Sequence, residues 1–268
     1  MEAAKRDVQD FWDRASCGEE LFLGGRDSAH YDEQARVRYA LEPYIPGFAR
    51  FDDSRGLRVL EIGVGLGADH ERFARAGAEL FGIDLTLRAV AHTAARLRAR
   101  DLRSSLCEGD AENLPFPDQS FDWVYSWGVI HHSPDTARAV SEIARVLKPG
   151  GVARIMVYHK RSLVGAMLWV RYALLALKPF TSMNAIYARH LESPGTKAYS
   201  TSEIRQLFSR FSKLEMKIEL SHGDLLSEHA GQRHGGVALS LARRVWPRKL
   251  VQRYMSRFGL FLCITATR

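Results

Sequence analysis

Seven short apolar or β-branched runs punctuate the chain, and the first five alternate with stretches whose apolar residues recur at helical spacing. Leu57 to Ile62 reads as a first strand, Glu79 to Ile83 as a second that ends at Asp84, and Ser105 to Gly109 as a third. Phe121 to Ser126 is the fourth, and Val152 to His159 the fifth, after the turn Lys148-Pro149-Gly150-Gly151. Ala68 to Ala76, Leu87 to Arg100 and Asp135 to Val146 carry the intervening helical pattern. Strands and helices that alternate in this way predict βα units and a parallel sheet.

After His159 the rhythm changes. Lys160 to Leu191 predicts a helical stretch with apolar residues on most faces and no strand. Thr201 is placed to cap a helix that runs to Phe208, with Glu203 and Ile204 in its first turn. Leu214 to Leu220 and Leu260 to Ala266 alternate as strands do, and between them lies Gly223 to Phe258, rich in His, Gly and Arg. The expected organisation is an N-terminal helical lid (1–50), an α/β core (51–160), a helical cap insertion (161–200), and a C-terminal part of the core sheet (201–268) holding a basic insertion (223–258).

The first strand delivers Glu61-Ile62-Gly63-Val64-Gly65-Leu66-Gly67 into a helix, which brings bare backbone N–H groups beside a ligand. Glycine suits that turn because a Cβ would block close approach. The same loop satisfies the dinucleotide pattern GxGxxG/A, and Asp84 can take two ribose hydroxyls in either kind of cofactor. These features call for a nucleoside without choosing which. Glu61 favours a ligand carrying an ammonium and a sulfonium, since it would repel a pyrophosphate. Gly109-Asp110-Ala111-Glu112-Asn113-Leu114-Pro115-Phe116 offers a carboxylate for an adenine amino group and an amide for a ring nitrogen. Phe121-Asp122-Trp123-Val124-Tyr125-Ser126 and Arg145-Val146-Leu147-Lys148-Pro149-Gly150-Gly151 follow in order.

On these motifs, Arg58 to His159 resembles the class I S-adenosylmethionine-dependent methyltransferases, in particular the large bacterial ubiquinone/menaquinone-type (methyltransferase type 11) group. The resemblance implies a Rossmann-like seven-stranded, mostly parallel sheet with helices on both faces, plus lid and cap insertions. It implies S-adenosyl-L-methionine as cofactor and S-adenosyl-L-homocysteine as product. Glu61, Gly63, Gly65 and Gly67 would surround the methionine part, Asp84 the ribose, and Leu85 the adenine face. Asp110, Ala111 and Glu112 would read the adenine edge, and Ser126 and Trp127 would close over the cofactor. An NAD-dependent oxidoreductase is disfavoured by Glu61 and the Asp110 segment; a non-catalytic cofactor-binding descendant is an alternative.

A sulfonium already activates the methyl group, so the protein's task is alignment, with a base for an acceptor that carries a proton. His131 and His132 after the fourth strand and His159 at the end of the fifth are the candidate bases. The N-terminal stretch from Phe11-Trp12-Asp13-Arg14 should fold over the cofactor, which makes Tyr31, Arg38 and Tyr39 candidate substrate contacts. Trp169 and Tyr172, with Met167, Leu168 and Leu175, would form an apolar acceptor wall. Ser126-Trp127-Gly128-Val129 stands where methyltransferases of base or glutamine nitrogens carry an Asn/Asp-Pro-Pro-Tyr motif, and no cysteine follows a proline as cytosine-C5 enzymes require. A small or medium organic acceptor is therefore expected: a natural product, lipid acid or peptide carboxylate, with oxygen favoured over nitrogen or carbon.

Charge colours this picture without changing it. The formal charge is +7, which suits anionic partners: nucleic acid, an anionic membrane surface, or a substrate with carboxylate or phosphate. Arg243-Arg244-Val245-Trp246-Pro247-Arg248-Lys249 interleaves aromatic and basic residues, yet it also reads as the polar face of a cap helix over buried Val237, Leu241, Val245 and Leu250. Nucleic acid is disfavoured on that ground. His222, His229 and His234 match no compact ligand spacing, so no metal is expected. Leu163 to Leu177 is apolar but is broken by Arg171 and falls short of the ~20 residues of a membrane span. The N-terminus lacks a signal peptide's apolar core, and Cys17, Cys107 and Cys263 form no disulfide framework, so a reducing cytoplasm is expected.

Overall fold

The computed structural model describes residues 2–19, 23–25, 27–227 and 243–268. Among the described residues, the helices that lead in are α1 (Glu2–Arg14), α2 (Ser28–Leu41) and α3 (Ile45–Ala49). The core then runs β1 (Arg58–Ile62), α4 (Ala68–Ala76), β2 (Glu79–Asp84), α5 (Leu87–Arg98), β3 (Ser105–Glu108), β4 (Phe121–Trp127), α6 (Thr136–Val146) and β5 (Leu147–Tyr158). Beyond it come α7 (Leu163–Trp169), α8 (Met183–His190), α9 (Thr201–Leu207), β6 (Lys213–Glu219), α10 (Arg248–Tyr254) and β7 (Phe261–Thr267). The strands form one sheet in the order β3-β2-β1-β4-β5-β7-β6. β1 to β5 are mutually parallel, and β7 runs antiparallel between β5 and β6.

Alternation explains why both faces of the sheet are dry. Leu60 and Ile62 of β1 share a cluster with Val140 and Ile143 of α6, whereas Val59 packs with Ile45 of α3 and Phe73 of α4 on the opposite face. A strand buried on both sides reads as a continuous apolar run, as β1 does. β1 lies between β2 and β4, so the chain leaves it in opposite directions on its two sides. That switch point opens a crevice at the strands' carboxyl ends.

The C-terminal third departs from expectation in three places. The helical stretch from Lys160 to Leu191 is broken into α7, a π-helical turn over Val170–Leu174, and α8. Leu177 is left-handed (φ 57°), and Pro179 denies the chain a helical N–H two residues later. Ser200, not Thr201, caps α9: its hydroxyl accepts the Glu203 N–H, and the Glu203 carboxylate accepts the Ser200 N–H. Finally, Val245 and Leu250 are exposed, and Val251 is the buried residue of α10; Val237 and Leu241 lie outside the described residues.

Candidate active site

A cavity of about 270 Å³ fills the crevice, roofed by residues of α1 and α2. Its first half is the glycine loop. Gly63, Gly65 and Gly67 all have positive φ. At Gly63 a Cβ would fall 2.1 Å from Val129 Cγ2, so the turn is closed to any larger residue. Gly65 lines the cavity, and nothing lies within 4 Å of where its Cβ would stand, which leaves its bare backbone accessible to a ligand. Asp84 fixes the loop, one oxygen accepting the Gly65 N–H at 3.1 Å and the other the N–H and hydroxyl of Thr86.

Glu61 lies beneath the loop with His70 Nδ1 2.8 Å from its carboxylate. Burial pushes the Glu61 carboxyl well above its usual range, Asp69 reinforces the shift and Arg38 opposes it. Burial also holds His70 down to about 3. Asp69 is the ionised partner here. Burial alone would raise it, but the Arg38 fork and the hydroxyls of Tyr39 and Tyr125 bring it below its ordinary value. A ligand cation beside Glu61 would offset the desolvation that now disfavours its charge. The donor set therefore fits an ammonium and a sulfonium.

Asp110 and Ala111 line the same half, and Lys5 of α1 reaches over to Asp110 (2.5 Å) and Glu112 (2.7 Å). Gln9 donates to the Leu85 carbonyl, which pins α1 across the site. Glu112 itself lies outside the lining and accepts the Asp135 N–H at 2.8 Å.

The second half is walled by Trp12, Trp127, Met156, Tyr158 and Phe261, with Arg38, Glu42, His132, Glu192 and His222 as its polar groups. Tyr158 donates to Glu192 at 2.6 Å, and His132 Nε2 lies 3.3 Å from the same carboxylate. His132 Nδ1 is 2.8 Å from the Ser193 hydroxyl and 3.1 Å from that of Thr196, which holds the ring's plane. Burial would raise Glu192, but the bonds from His132 and Tyr158 bring it below its ordinary value. Glu42 is raised to about 7, chiefly by burial, against the pull of Arg38.

The candidate residues divide accordingly. Glu61, Gly63, Gly65, Gly67, Asp84, Leu85, Asp110, Ala111, Trp127, His132 and Arg38 line one cavity. Ser126, Glu112, His131, His159, Tyr31, Tyr39, Trp169 and Tyr172 are absent from that lining. Strand alternation accounts for two of them. Met156 and Tyr158 face the cavity, so His159 takes the other side, where its Nδ1 lies 3.2 Å from the Gly259 carbonyl. Likewise Trp127 faces in and Ser126 is buried with no hydrogen-bond partner among the described residues. His131 is buried against Tyr158, ring centroids 4.1 Å apart. Tyr31 is sealed under α5, donating to the His92 carbonyl, and Tyr39 donates to Asp69 with the Arg72 guanidinium over its ring.

Trp169 donates to the Thr181 carbonyl and Tyr172 stacks on His190 at 3.9 Å, both in a small separate cluster with Leu168 and Ile186. Leu175 is exposed, so the apolar residues 167–175 do not wall this half, and Glu192 is the residue of 161–200 that lines it. That wall comes instead from Trp12, Tyr158 and Phe261, with Glu42 and Glu192, none of which except the α1 aromatics carried a sequence signal. His131, His132 and Glu192 bring one ligand atom each within 4.8 Å, the compact metal-type spacing among the described residues; His229 and His234 lie outside them.

Comparison with known proteins agrees with this geometry. Residues 60–155 match the family model described as a methyltransferase domain. Over 133 residues the chain is 40% identical to phosphoethanolamine N-methyltransferase 2 of Caenorhabditis elegans, covering 48% of this chain and 28% of that protein. Over 163 residues it is 32% identical to methyltransferase GfsG of Streptomyces halstedii, covering 56% and 57%. The match thus spans well under two thirds of the length of either relative. Among solved structures, the complex of the Haloferax volcanii Trm112 methyltransferase activator with a methyltransferase aligns with TM-score 0.60 and 21% identity over 97% of this chain and 96% of that one. Residues 60–155 thus match a methyltransferase domain, and the fold is shared with a solved S-adenosylmethionine-dependent methyltransferase of Mesorhizobium loti (TM-score 0.53, 19% identity, 84% of this chain and 97% of that one).

Proposed function

We propose that the chain transfers the methyl group of S-adenosylmethionine to a small organic acceptor lodged between Trp127, Tyr158 and Phe261. The observation that carries this reading is one continuous cavity, with the glycine loop, Asp84 and Asp110 at one end and a polar-aromatic compartment at the other. The cofactor supplies an activated methyl on sulfur. Asp84 takes the ribose, Asp110 and Ala111 the adenine edge, and Glu61 with the loop the amino-acid tail. Lys5 must release Asp110, or share it, for the adenine amino group to bond there. With its Nδ1–H donated to the Ser193 hydroxyl, His132 takes the acceptor's proton on Nε2, and the Glu192 carboxylate 3.3 Å away stabilises the imidazolium so formed.

A basic nitrogen is favoured over oxygen by one observation: the acceptor half holds Glu42 and Glu192 among aromatic rings, while Arg38 is already committed to Asp69 and Glu42. Carboxylates and ring faces together suit a cationic amine. The test is calorimetric titration with S-adenosylhomocysteine and NADH, followed by an S-adenosylhomocysteine-release assay on matched amines and hydroxy acids. Tight binding of NADH alone would sink the methyltransferase reading. Turnover confined to hydroxy acids would restore the oxygen acceptor, and binding with no turnover on either class would favour a non-catalytic descendant.

A further inference from the structure

Of the nine large apolar side chains exposed among the described residues, eight fall in two segments, residues 170–180 and 245–254. Leu175, Leu177 and Phe180 are 73%, 89% and 99% exposed, as far out as side chains reach. Soluble surfaces tolerate such residues singly, but a cluster of them marks a place where something docks.

The same two stretches hold the protein's positive charge. Residues 161–191 contain Arg161, Arg171, Lys178 and Arg189, and residues 243–258 contain six further Arg or Lys; neither stretch has an Asp or Glu. Ten cations against a formal charge of +7 for the chain leave the remainder at −3. No carboxylate among the described residues pairs with Arg171, Lys178, Lys249 or Arg253.

One turn holds the two stretches together. Asp224 accepts the Val164 N–H at the start of α7 (3.1 Å), and its backbone carbonyl accepts the Trp246 indole N–H (3.0 Å). Arg248 donates to the carbonyls of Leu225 and Leu226. His222, within this turn, lines the cavity, and Tyr158, just before the first stretch, lines it too. The apolar and cationic groups therefore spring from the acceptor end of the sheet.

We propose that these two segments dock the protein onto an anionic lipid surface, with the apolar tip at 174–180 entering the headgroup layer and the cations facing lipid phosphates. Exposed leucines beside cations that no carboxylate neutralises are what an anionic bilayer interface selects. A nucleic-acid site would need open ring faces for its bases, but here Tyr172 is covered by Arg171 and His190, and Arg253 and Arg257 lie over Tyr254 and Phe258. The attachment is peripheral, since no described helix is long and apolar enough to cross a membrane.

The test is co-sedimentation of the full chain with phosphatidylcholine vesicles, alone or with about a third phosphatidylglycerol. Binding is expected to the anionic vesicles and to fall as salt rises. Arg171→Gln with Lys178→Gln should weaken it roughly 25-fold, at about fivefold per cation. Leu177→Ser with Phe180→Ser should weaken it on the order of 100-fold. S-adenosylhomocysteine titration should be unchanged in both variants, which shows that they fold. No vesicle binding, equal binding to neutral vesicles, or loss of self-association in place of lipid binding in the serine variant would each overturn the proposal. So would retention of RNA in preference to anionic vesicles.

Discussion

The two halves of the cavity are made of different material. The cofactor half is mostly backbone and short side chains: the loop 63–67, Asp84 with Leu85, and Gly109 to Ala111, each delivered by the end of a neighbouring parallel strand. The acceptor half is long side chains from scattered places, with Trp12 from α1, Glu192 after α8, His222 after β6 and Phe261 opening β7. A backbone cradle is bound to the strand order and can change little without losing the fold. A side-chain cage can change one residue at a time, so selectivity for the acceptor resides in the half that is free to vary.

That contrast can be broken in order of effect. His132→Gln should lower kcat by roughly 10²–10⁴-fold while leaving S-adenosylhomocysteine affinity unchanged in a calorimetric titration; a loss of affinity instead would move His132 to the cofactor half. Gly63→Val should do the reverse. Its Cβ meets Val129 at 2.1 Å in a positive-φ turn, so the loop must move off the geometry a ligand would meet, and cofactor affinity should fall on the order of 100-fold.

Glu42 sharpens the comparison through pH. Its folded-state value of about 7 lies above the ordinary 4.5, so between those values the native state binds more protons than the unfolded one. Stability should therefore fall as pH rises through that window, by on the order of 3 kcal/mol. Thermal melts from pH 5 to 8 should show this slope, and Glu42→Gln should flatten it; an unchanged slope would assign it to another group. Smallest of all, Trp169→Phe removes the bond to the Thr181 carbonyl and should cost about 1 kcal/mol of stability with kcat unaltered, since Trp169 lies outside both halves.

The same division decided what could be read from the residues alone. β1, β4 and β5 bury residues on both faces, whereas the edge strand β3 does not, but all five strands are bounded by Gly, Pro or Asp, so their order and the loops after them were legible to within a few residues. Asp84 and Asp110 follow their strands directly, and their placement needs no long-range information. Glu192 and His222 announce nothing locally; they join Tyr158 and His132 only because α8 and the 221–227 turn fold back across the sheet. His159 was within reach of strand alternation, which sets it opposite Tyr158, but a histidine at a strand end draws notice whichever way it points. In the cap, apolar spacing suggested one helix, and Leu177 and Pro179 divide it.

β7 is made last of the seven strands yet sits between β5 and β6. β6 can therefore reach the sheet only through β7, either with it as a hairpin or after β7 has paired with the β5 edge. During synthesis the nucleoside cradle can assemble while residues 213–267 are still absent, whereas Phe261 closes the acceptor compartment only at the end. A ribosome stalled before that strand would carry a domain able to hold cofactor with no chamber in which to use it.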